Sequence, residues 1–375
     1  MFRLAILGHF PVDSPPQGGV QSVIANLRDV YAARDDIELH LIQHRRGIPD
    51  GAVAGDGFTM HNLQANEQRL VPNMMRTKQR LEPLLREIAP DAISTHQPEY
   101  ALVAFDSAIP TVHTIHGFPA NEFWTRRGVF TRTATLWEVW LLRQTLRRAR
   151  HLIAISDHVI KTFQARTSAI FHRVNNPISP LFFEPGPSPE PHRLLLVGNL
   201  TSRKGVEVAI AAVARLLPDY PDLTLEIVGP AKDEQYAERL RVQAEPLGAA
   251  IEFSGLLSQS GIKRALGRAQ ALVLTSYEEH APMVVAEAMA CSRPVVATRV
   301  GGLSDMVEPG VTGYLAEAGD VTMIADGLQK LLADPEHAAG LGRNAARHAR
   351  QRYHPEAVAD GYLRAIEAAM EERTT

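Results

Sequence analysis

Short apolar runs alternate along this chain with longer stretches in which apolar residues recur every third or fourth position. The runs at 4–7, 39–43, 92–95, 111–115 and 152–155 read as buried strands. Between them, 20–33, 74–88 and 133–148 carry the helical period. The rhythm then repeats, with strands at 194–197, 224–228, 271–274 and 294–298 and helices at 206–217, 236–245 and 282–290. Continuous apolar strands separated by amphipathic helices predict parallel sheets covered on both faces. Two such series predict two α/β domains. Between them, residues 177–191 hold six prolines in fifteen positions, which neither lattice tolerates, so this stretch reads as the linker. The expected domains are 1–184 and 185–354. No sequence repeat of a solenoid or propeller length is present.

Composition narrows the classes. A chain of 375 residues is long for one core and fits two domains. Its 39 basic and 42 acidic residues leave a net charge of −3, without the basic footprint of a nucleic-acid binder. The single cysteine, Cys291, excludes an internal disulfide and points to a reducing compartment. Between Ala290 and Ser292 it reads as a packing residue. No apolar run reaches a membrane span. Met1-Phe-Arg-Leu-Ala-Ile-Leu7 is too short for a signal peptide and reads as the first strand, so a cytoplasmic location is expected.

The most informative stretch is Glu279-His-Ala-Pro-Met-Val-Val-Ala-Glu287. Pro282 suits the first position of a helix, because it has no N–H to leave unpaired. The N–H groups of Met283, Val284 and Val285 then face no intrahelical acceptor and form an anion site. Glu279 precedes that mouth, and Glu287 lies more than a turn inside. Acceptor-only carboxylates beside an anion site suit a ligand with both phosphate and hydroxyls, such as a nucleotide sugar. The alternative for Glu287 is a partly buried carboxylate bonded to backbone. Arg203 and Lys204 start the helix after strand 194–197, where the helix dipole favours anions. They are either two solvated charges or, with a bound diphosphate, its partners.

In the first half, strand 4–7 leads through Gly8-His-Phe-Pro to Gly18-Gly-Val-Gln21. This is not the dinucleotide fingerprint Gly-x-Gly-x-x-Gly, so an NAD enzyme is disfavoured. The pair Gly18-Gly19 lets backbone N–H groups approach a phosphate or sugar. Strand 111–115 ends in His116-Gly117, and strand C-termini line the ligand crevice of such sheets. His113, on the strand itself, reads as a core histidine. There is no Asp-x-Asp, His-Glu-x-x-His or paired-cysteine cluster, so no metal site is indicated, and no Gly-x-Ser-x-Gly elbow. Glu279 and Glu287 share one binding surface and do not read as a glycosidase pair across a bond.

Tyr277-Glu-Glu279 through Glu287-Ala-Met-Ala, followed by Arg293-Pro-Val-Val-Ala-Thr-Arg-Val-Gly-Gly302, resembles the signature of the retaining GT-B glycosyltransferases of family 4, the glycosyl transferases group 1. The resemblance is strongest over 190–330. It implies an α/β fold of two Rossmann-like domains facing across a cleft, with a C-terminal helix within 355–375 crossing back to the first domain. It implies a UDP- or GDP-linked sugar as donor, transfer of a hexosyl group with retention, and neither cofactor nor metal. Glu287 would bind the ribose diol and Glu279 the donor sugar. Arg203, Lys204 and the N–H groups of Met283 and Val284 would hold the diphosphate. Gly18 and Gly19 would touch the donor from the opposite domain, and His116 the sugar near the reacting centre. Many members carry Glu-Gly-Phe-Gly where this chain has Glu279-His-Ala-Pro282, which leaves His280 without an assigned role. Two other readings stand beside this one: a nucleotide-sugar epimerase on the same fold, and a non-catalytic nucleotide-sugar binding protein.

The acceptor is not named by any motif, and its choice is expected in loops 44–75 and 117–135. All three tryptophans, Trp124, Trp137 and Trp140, fall within 122–150, with seven arginines against Glu122 and Glu138. This segment reads either as a core helix with a solvated arginine face or as a peripheral contact with the inner membrane surface.

Overall fold

The computed structural model describes residues 1–10, 16, 18–65, 73–117 and 129–374. They form two compact units: Met1–Pro177 with Pro355–Thr375, and Ile178–His354.

The first unit is built on strands β1 (Phe2–Leu7), β2 (Ile37–Arg45), β3 (Gly51–Ala54), β4 (Phe58–Gln64), β5 (Ala92–Thr95), β6 (Thr111–Ile115), β7 (His151–Ala154) and β8 (Ile170–Arg173). They lie in the order β3-β4-β2-β1-β5-β6-β7-β8. The strands pair in parallel, except that β3 folds back on β4 as an antiparallel edge hairpin. Leu4, Ala5, Ile6 and Leu7 are fully buried, as a central strand covered on both faces requires. Strand order reverses between β1 and β5, the position where such sheets open a crevice at their C-terminal edge.

The C-terminal helix Pro355–Thr374 belongs to this unit. Val358, Ala359, Tyr362, Ala365, Ile366 and Ala369 form its buried stripe at helical spacing. Tyr31 Oη donates to the Ala359 carbonyl at 3.0 Å, and Thr114 Oγ1 donates to Tyr362 Oη at 3.1 Å. A Cβ on Gly361 would stand 3.0 Å from Val174 Cγ1, so the helix lies close against the end of the first unit's chain.

The second unit has β9 (Arg193–Val197), β10 (Thr224–Val228), β11 (Ile251–Gly255), β12 (Ala271–Leu274), β13 (Val295–Thr298) and β14 (Gly313–Ala316). All are parallel in the order β11-β10-β9-β12-β13-β14. Counted from β9 this is 3-2-1-4-5-6, the doubly wound order of nucleotide-binding sheets, with its switch point between β9 and β12.

The proline-rich stretch departs from the linker expected of it. Ile178 and Phe182 are fully buried in the second unit's core, with Pro180–Phe183 forming a 3-10 turn capped by Ser179. The boundary therefore falls at 177/178 rather than 184/185. Proline preset the turn, and two apolar side chains anchored it. Other elements escaped the pattern for identifiable reasons. Strand β8 is half exposed, and β3 wholly so, which leaves no apolar run to read. Helix Pro335–Tyr353 buries Ala338, Leu341, Gly342, Ala345 and Ala349, a face made mostly of small residues.

Candidate active site

In the second unit, three loops meet at the C-terminal ends of β9, β12 and β13. After β9 the chain makes a 3-10 turn, Ser202–Lys204, and reaches helix Val206–Leu216 through Gly205 in the left-handed conformation (φ 57°). A Cβ at Gly205 would stand 2.3 Å from the Thr275 carbonyl, so only glycine lets these two loops touch. Thr275 Oγ1 donates to the Gly205 carbonyl at 2.8 Å, and Tyr277 N donates to the Arg203 carbonyl at 2.8 Å. These bonds fix Arg203 and Lys204 beside the segment that carries Glu279.

Glu279 is 5% exposed. Its Oε1 accepts from Lys204 Nζ and, at 2.8 Å, from Ser276 Oγ. Sequence reasoning assigned Lys204 to a diphosphate and Glu279 to a sugar; the fold joins them as a buried ion pair. Ser276 was missed, although its place just beyond an apolar strand was the available signal. The backbone is fixed as well, since Gly302 N donates to the Glu279 carbonyl at 3.1 Å. Gly301 is left-handed (φ 49°), and a Cβ there would lie 1.8 Å from that same oxygen. The Gly301-Gly302 turn after β13 thus closes on Glu279. Arg203 Nη1 meets only the Glu278 carbonyl, at 3.4 Å, so its charge faces no carboxylate among the described residues. His280 Nε2 lies 3.8 Å from Glu278 Oε1.

The helix after this loop is Met283–Ala290, and Pro282 is its N-cap (φ −68°, ψ 116°) rather than its first residue. Val285 N–H already bonds the Pro282 carbonyl at 3.1 Å. Two N–H groups, of Met283 and Val284, therefore remain without an acceptor among the described residues, not three. Glu287 is 9% exposed among apolar neighbours, and its carboxylate accepts no hydrogen bond from the described residues. Burial pushes its carboxyl up to about 7, so the backbone-bonded alternative is not what the fold builds.

In the first unit, Gly18 caps helix Gly19–Ala32 with extended backbone (φ 176°), and a Cβ there would meet nothing within 4 Å. Residues 11–15 and 17 of the loop before it lie outside the described residues. His116 follows β6 directly. Its Nε2 lies 2.9 Å from Nδ1 of His96, the residue following β5, and the two rings meet edge to edge with centroids 5.2 Å apart. His113 is 1% exposed with Nδ1 2.9 Å from Thr95 Oγ1, a satisfied core histidine. Burial depresses all three imidazoles: His116 to about 4, His113 to about 3, and His96 well below its ordinary value. His96 was missed, although it follows an apolar strand as His116 does.

The helix Val129–Arg148 buries Leu141, Leu142, Leu146 and Ala149 close behind it, and leaves Leu136, Trp137 and Trp140 at 58%, 41% and 40% exposure. The two indoles stack at 4.8 Å. Arg143 and Arg147 are exposed, while Arg148 pairs with Asp106. Trp124, Arg126 and Arg127 lie outside the described residues. Among the described residues, no helix is long and apolar enough to cross a membrane.

Two parallel doubly wound sheets, each with polar side chains gathered at its C-terminal edge, are the architecture of GT-B enzymes. The first half matches the family model described as Glycosyltransferase Family 4 over residues 17–180, and the second matches Glycosyl transferases group 1 over 179–348. Glycogen synthase of Mycobacterium tuberculosis is 32% identical over 295 residues, covering 74% of this chain and 68% of that protein. Sucrose-phosphate synthase from Thermosynechococcus elongatus superposes with a TM-score of 0.79 at 22% identity, over 99% of this chain and 100% of that one. Anabaena HepE in complex with UDP-glucose superposes with a TM-score of 0.72 at 20% identity, over 98% and 100%. The chain belongs to glycosyltransferase family 4 and is a glycosyltransferase.

Proposed function

We propose that this enzyme moves a hexosyl group from a UDP- or GDP-linked sugar to an acceptor hydroxyl with retention at the anomeric carbon. The observation that carries the reading is the second unit's switch point. There Arg203, without a carboxylate partner among the described residues, shares one strand edge with the Lys204–Glu279 pair, with the N–H groups of Met283 and Val284 and with the carboxyl of Glu287, which likewise find no partner among them. Cations and N–H groups suit a diphosphate, and carboxylates suit the hydroxyls of ribose and sugar. The acceptor oxygen bonds to the anomeric carbon while the bond to the diphosphate oxygen breaks. The leaving diphosphate keeps that electron pair and takes the acceptor's proton on the same face. No protein nucleophile is needed. Arg203 and the helix N-terminus stabilise the charge that develops on the leaving group. His116 and the Gly18-Gly19 turn contribute from the first unit, with His116 touching the sugar.

A second reading concerns the acceptor. The exposed Trp137–Trp140 stack, on the same helix as the exposed Arg143 and Arg147, favours a lipid-borne acceptor met at an anionic membrane surface.

A thermal-shift screen of nucleotide sugars tests the donor, since a ligand of the folded state raises the midpoint. One UDP or GDP sugar should raise it, and Glu287→Ala should weaken that donor's binding more than it lowers turnover. Nucleoside diphosphate should appear only with acceptor, in EDTA as well as without it, and the product should keep the donor's anomeric configuration. Isomerised donor with no acceptor consumed would mean an epimerase. Binding without turnover would mean a carrier, and an inverted product would end the retaining mechanism.

A further inference from the structure

His96 follows β5, is buried (3% exposed) and has two rings against it. The His116 ring meets it edge to edge, with centroids 5.2 Å apart and planes 23° apart; the ring of Tyr362, on the C-terminal helix, has its centroid 5.9 Å away and its plane 18° off. Its Nδ1 faces His116 Nε2 at 2.9 Å, while its own Nε2 is buried with no hydrogen-bond partner among the described residues. Both rings are neutral at pH 7, because burial disfavours the charged form. One proton therefore lies between them, and there are two ways to place it.

If His116 donated, the proton of His96 would sit on Nε2 as a buried N–H with no acceptor. The near-parallel stack with Tyr362 puts that N–H in a plane running alongside the phenol ring, so it cannot point into the π face either. If His96 donates from Nδ1, only a lone pair is left unmatched at Nε2. An orphaned buried donor is the rarer and costlier state. The second arrangement leaves His116 with its proton on Nδ1, an atom with no partner among the described residues.

We infer that His96 is a positioning residue that holds the neutral His116 in its Nδ1–H tautomer and so makes it a hydrogen-bond donor, not a base, toward a substrate hydroxyl. This rests on the reading that His116 touches the transferred sugar. A donor of that kind orients the sugar without taking a proton, as a reaction whose leaving diphosphate takes the acceptor's proton requires. Tyr362 completes the device by fixing the plane of the His96 ring, with Thr114 Oγ1 holding its hydroxyl. At metal-bound histidines, removing the partner that fixes the ring's tautomer costs about 10- to 100-fold in affinity or activity, and that scale is taken for His96.

The test separates tautomer from activity. Nitrogen-15 spectra of histidine-labelled enzyme, with the His116 signals assigned by comparison with His116→Gln, should show His116 protonated at Nδ1 in the wild type. In His96→Leu the ring should go over to the Nε2–H form. His96→Asn places an amide N–H where Nδ1–H stood and should restore the Nδ1–H form. Turnover should fall about 10- to 100-fold in His96→Leu, recover largely in His96→Asn, and leave the donor's KM within about twofold. A His116 protonated at Nε2 in the wild type overturns the inference with no variant needed. Full activity in His116→Gln would instead overturn the reading that His116 touches substrate, whatever the spectra show.

Discussion

At the scale of single residues, the decisive contact is between two groups that the chain separates by 75 positions. Glu279 is buried, and Lys204 supplies its counter-charge, with Ser276 the only other donor among the described residues. Removing one partner of a buried pair strands the other. Lys204→Ala should therefore lower stability by about 3–5 kcal/mol as well as activity. Arg203→Ala should leave stability within about 0.5 kcal/mol, since its guanidinium meets one carbonyl at 3.4 Å. It should still slow turnover at saturating donor by the equivalent of about 2–4 kcal/mol. Lys204→Met combined with Glu279→Gln should regain most of the stability and none of the rate. Urea denaturation beside initial rates reads all three, and equal stability losses at positions 203 and 204 would contradict the structure. Residue identity made Glu279, Glu287, Arg203 and Lys204 legible as chemistry. Their pairing was not, because no local spacing links position 204 to position 279.

At the scale of elements, the helix Val129–Arg148 shows how far periodicity reaches. Its buried face, Leu141, Leu142 and Leu146, with Ala149 just behind its end, is the amphipathic stripe the sequence offers. Exposure of Trp137 and Trp140 follows from the same periodicity, but their mutual stacking depends on rotamers. If the face meets anionic lipid, the protein should co-sediment with anionic vesicles at low salt and release at high salt. Arginines near such a surface gain about 1 kcal/mol each, and ions screen that gain. Trp137→Ser with Trp140→Ser should abolish sedimentation and slow transfer to a lipid acceptor while the thermal shift with donor stays as in wild type. No sedimentation at low salt would turn the reading to a water-soluble acceptor. The long apolar strands and most helices between them were legible for the same reason as this stripe. Edge strands β3 and β8 were not, because half-exposed strands lack an apolar run.

At the scale of the whole molecule, the buried histidines of the first unit and Glu287 of the second should respond to pH with opposite sign. In the first unit His9, His44, His61, His96, His113, His116 and His172 all have their pKa lowered from 6.5, chiefly by burial. The unfolded chain binds more protons than the folded one below 6.5. Their contribution is therefore lost as pH falls from that value toward the folded values of about 4 and about 3 for His116 and His113. In the second unit Glu287 is raised from 4.5 to about 7, so its contribution is full below 4.5 and lost as pH rises through 7. Each group changes stability by about 1.4 kcal/mol per pH unit within its window. Hydrogen exchange at pH 5 should show the first unit losing protection before the second. Glu287→Gln should raise the denaturation midpoint at pH 8 and leave it unchanged at pH 4. Acid opening that starts in the second unit would contradict this assignment.

The sequence by itself determined the class of the fold, because strand and helix periods are local properties of a chain. It determined the site's residue types too, because a glutamate or an arginine carries its chemistry wherever it lies. Tertiary structure decided what those residues do to each other. Lys204 meets Glu279 only because the strand order brings β9 beside β12, and His96 meets His116 only because β5 lies beside β6. It also decided where the units divide, since Phe182 is buried in the second core despite the prolines around it. Strand adjacency and burial depend on the whole chain at once, and no window of sequence contains them.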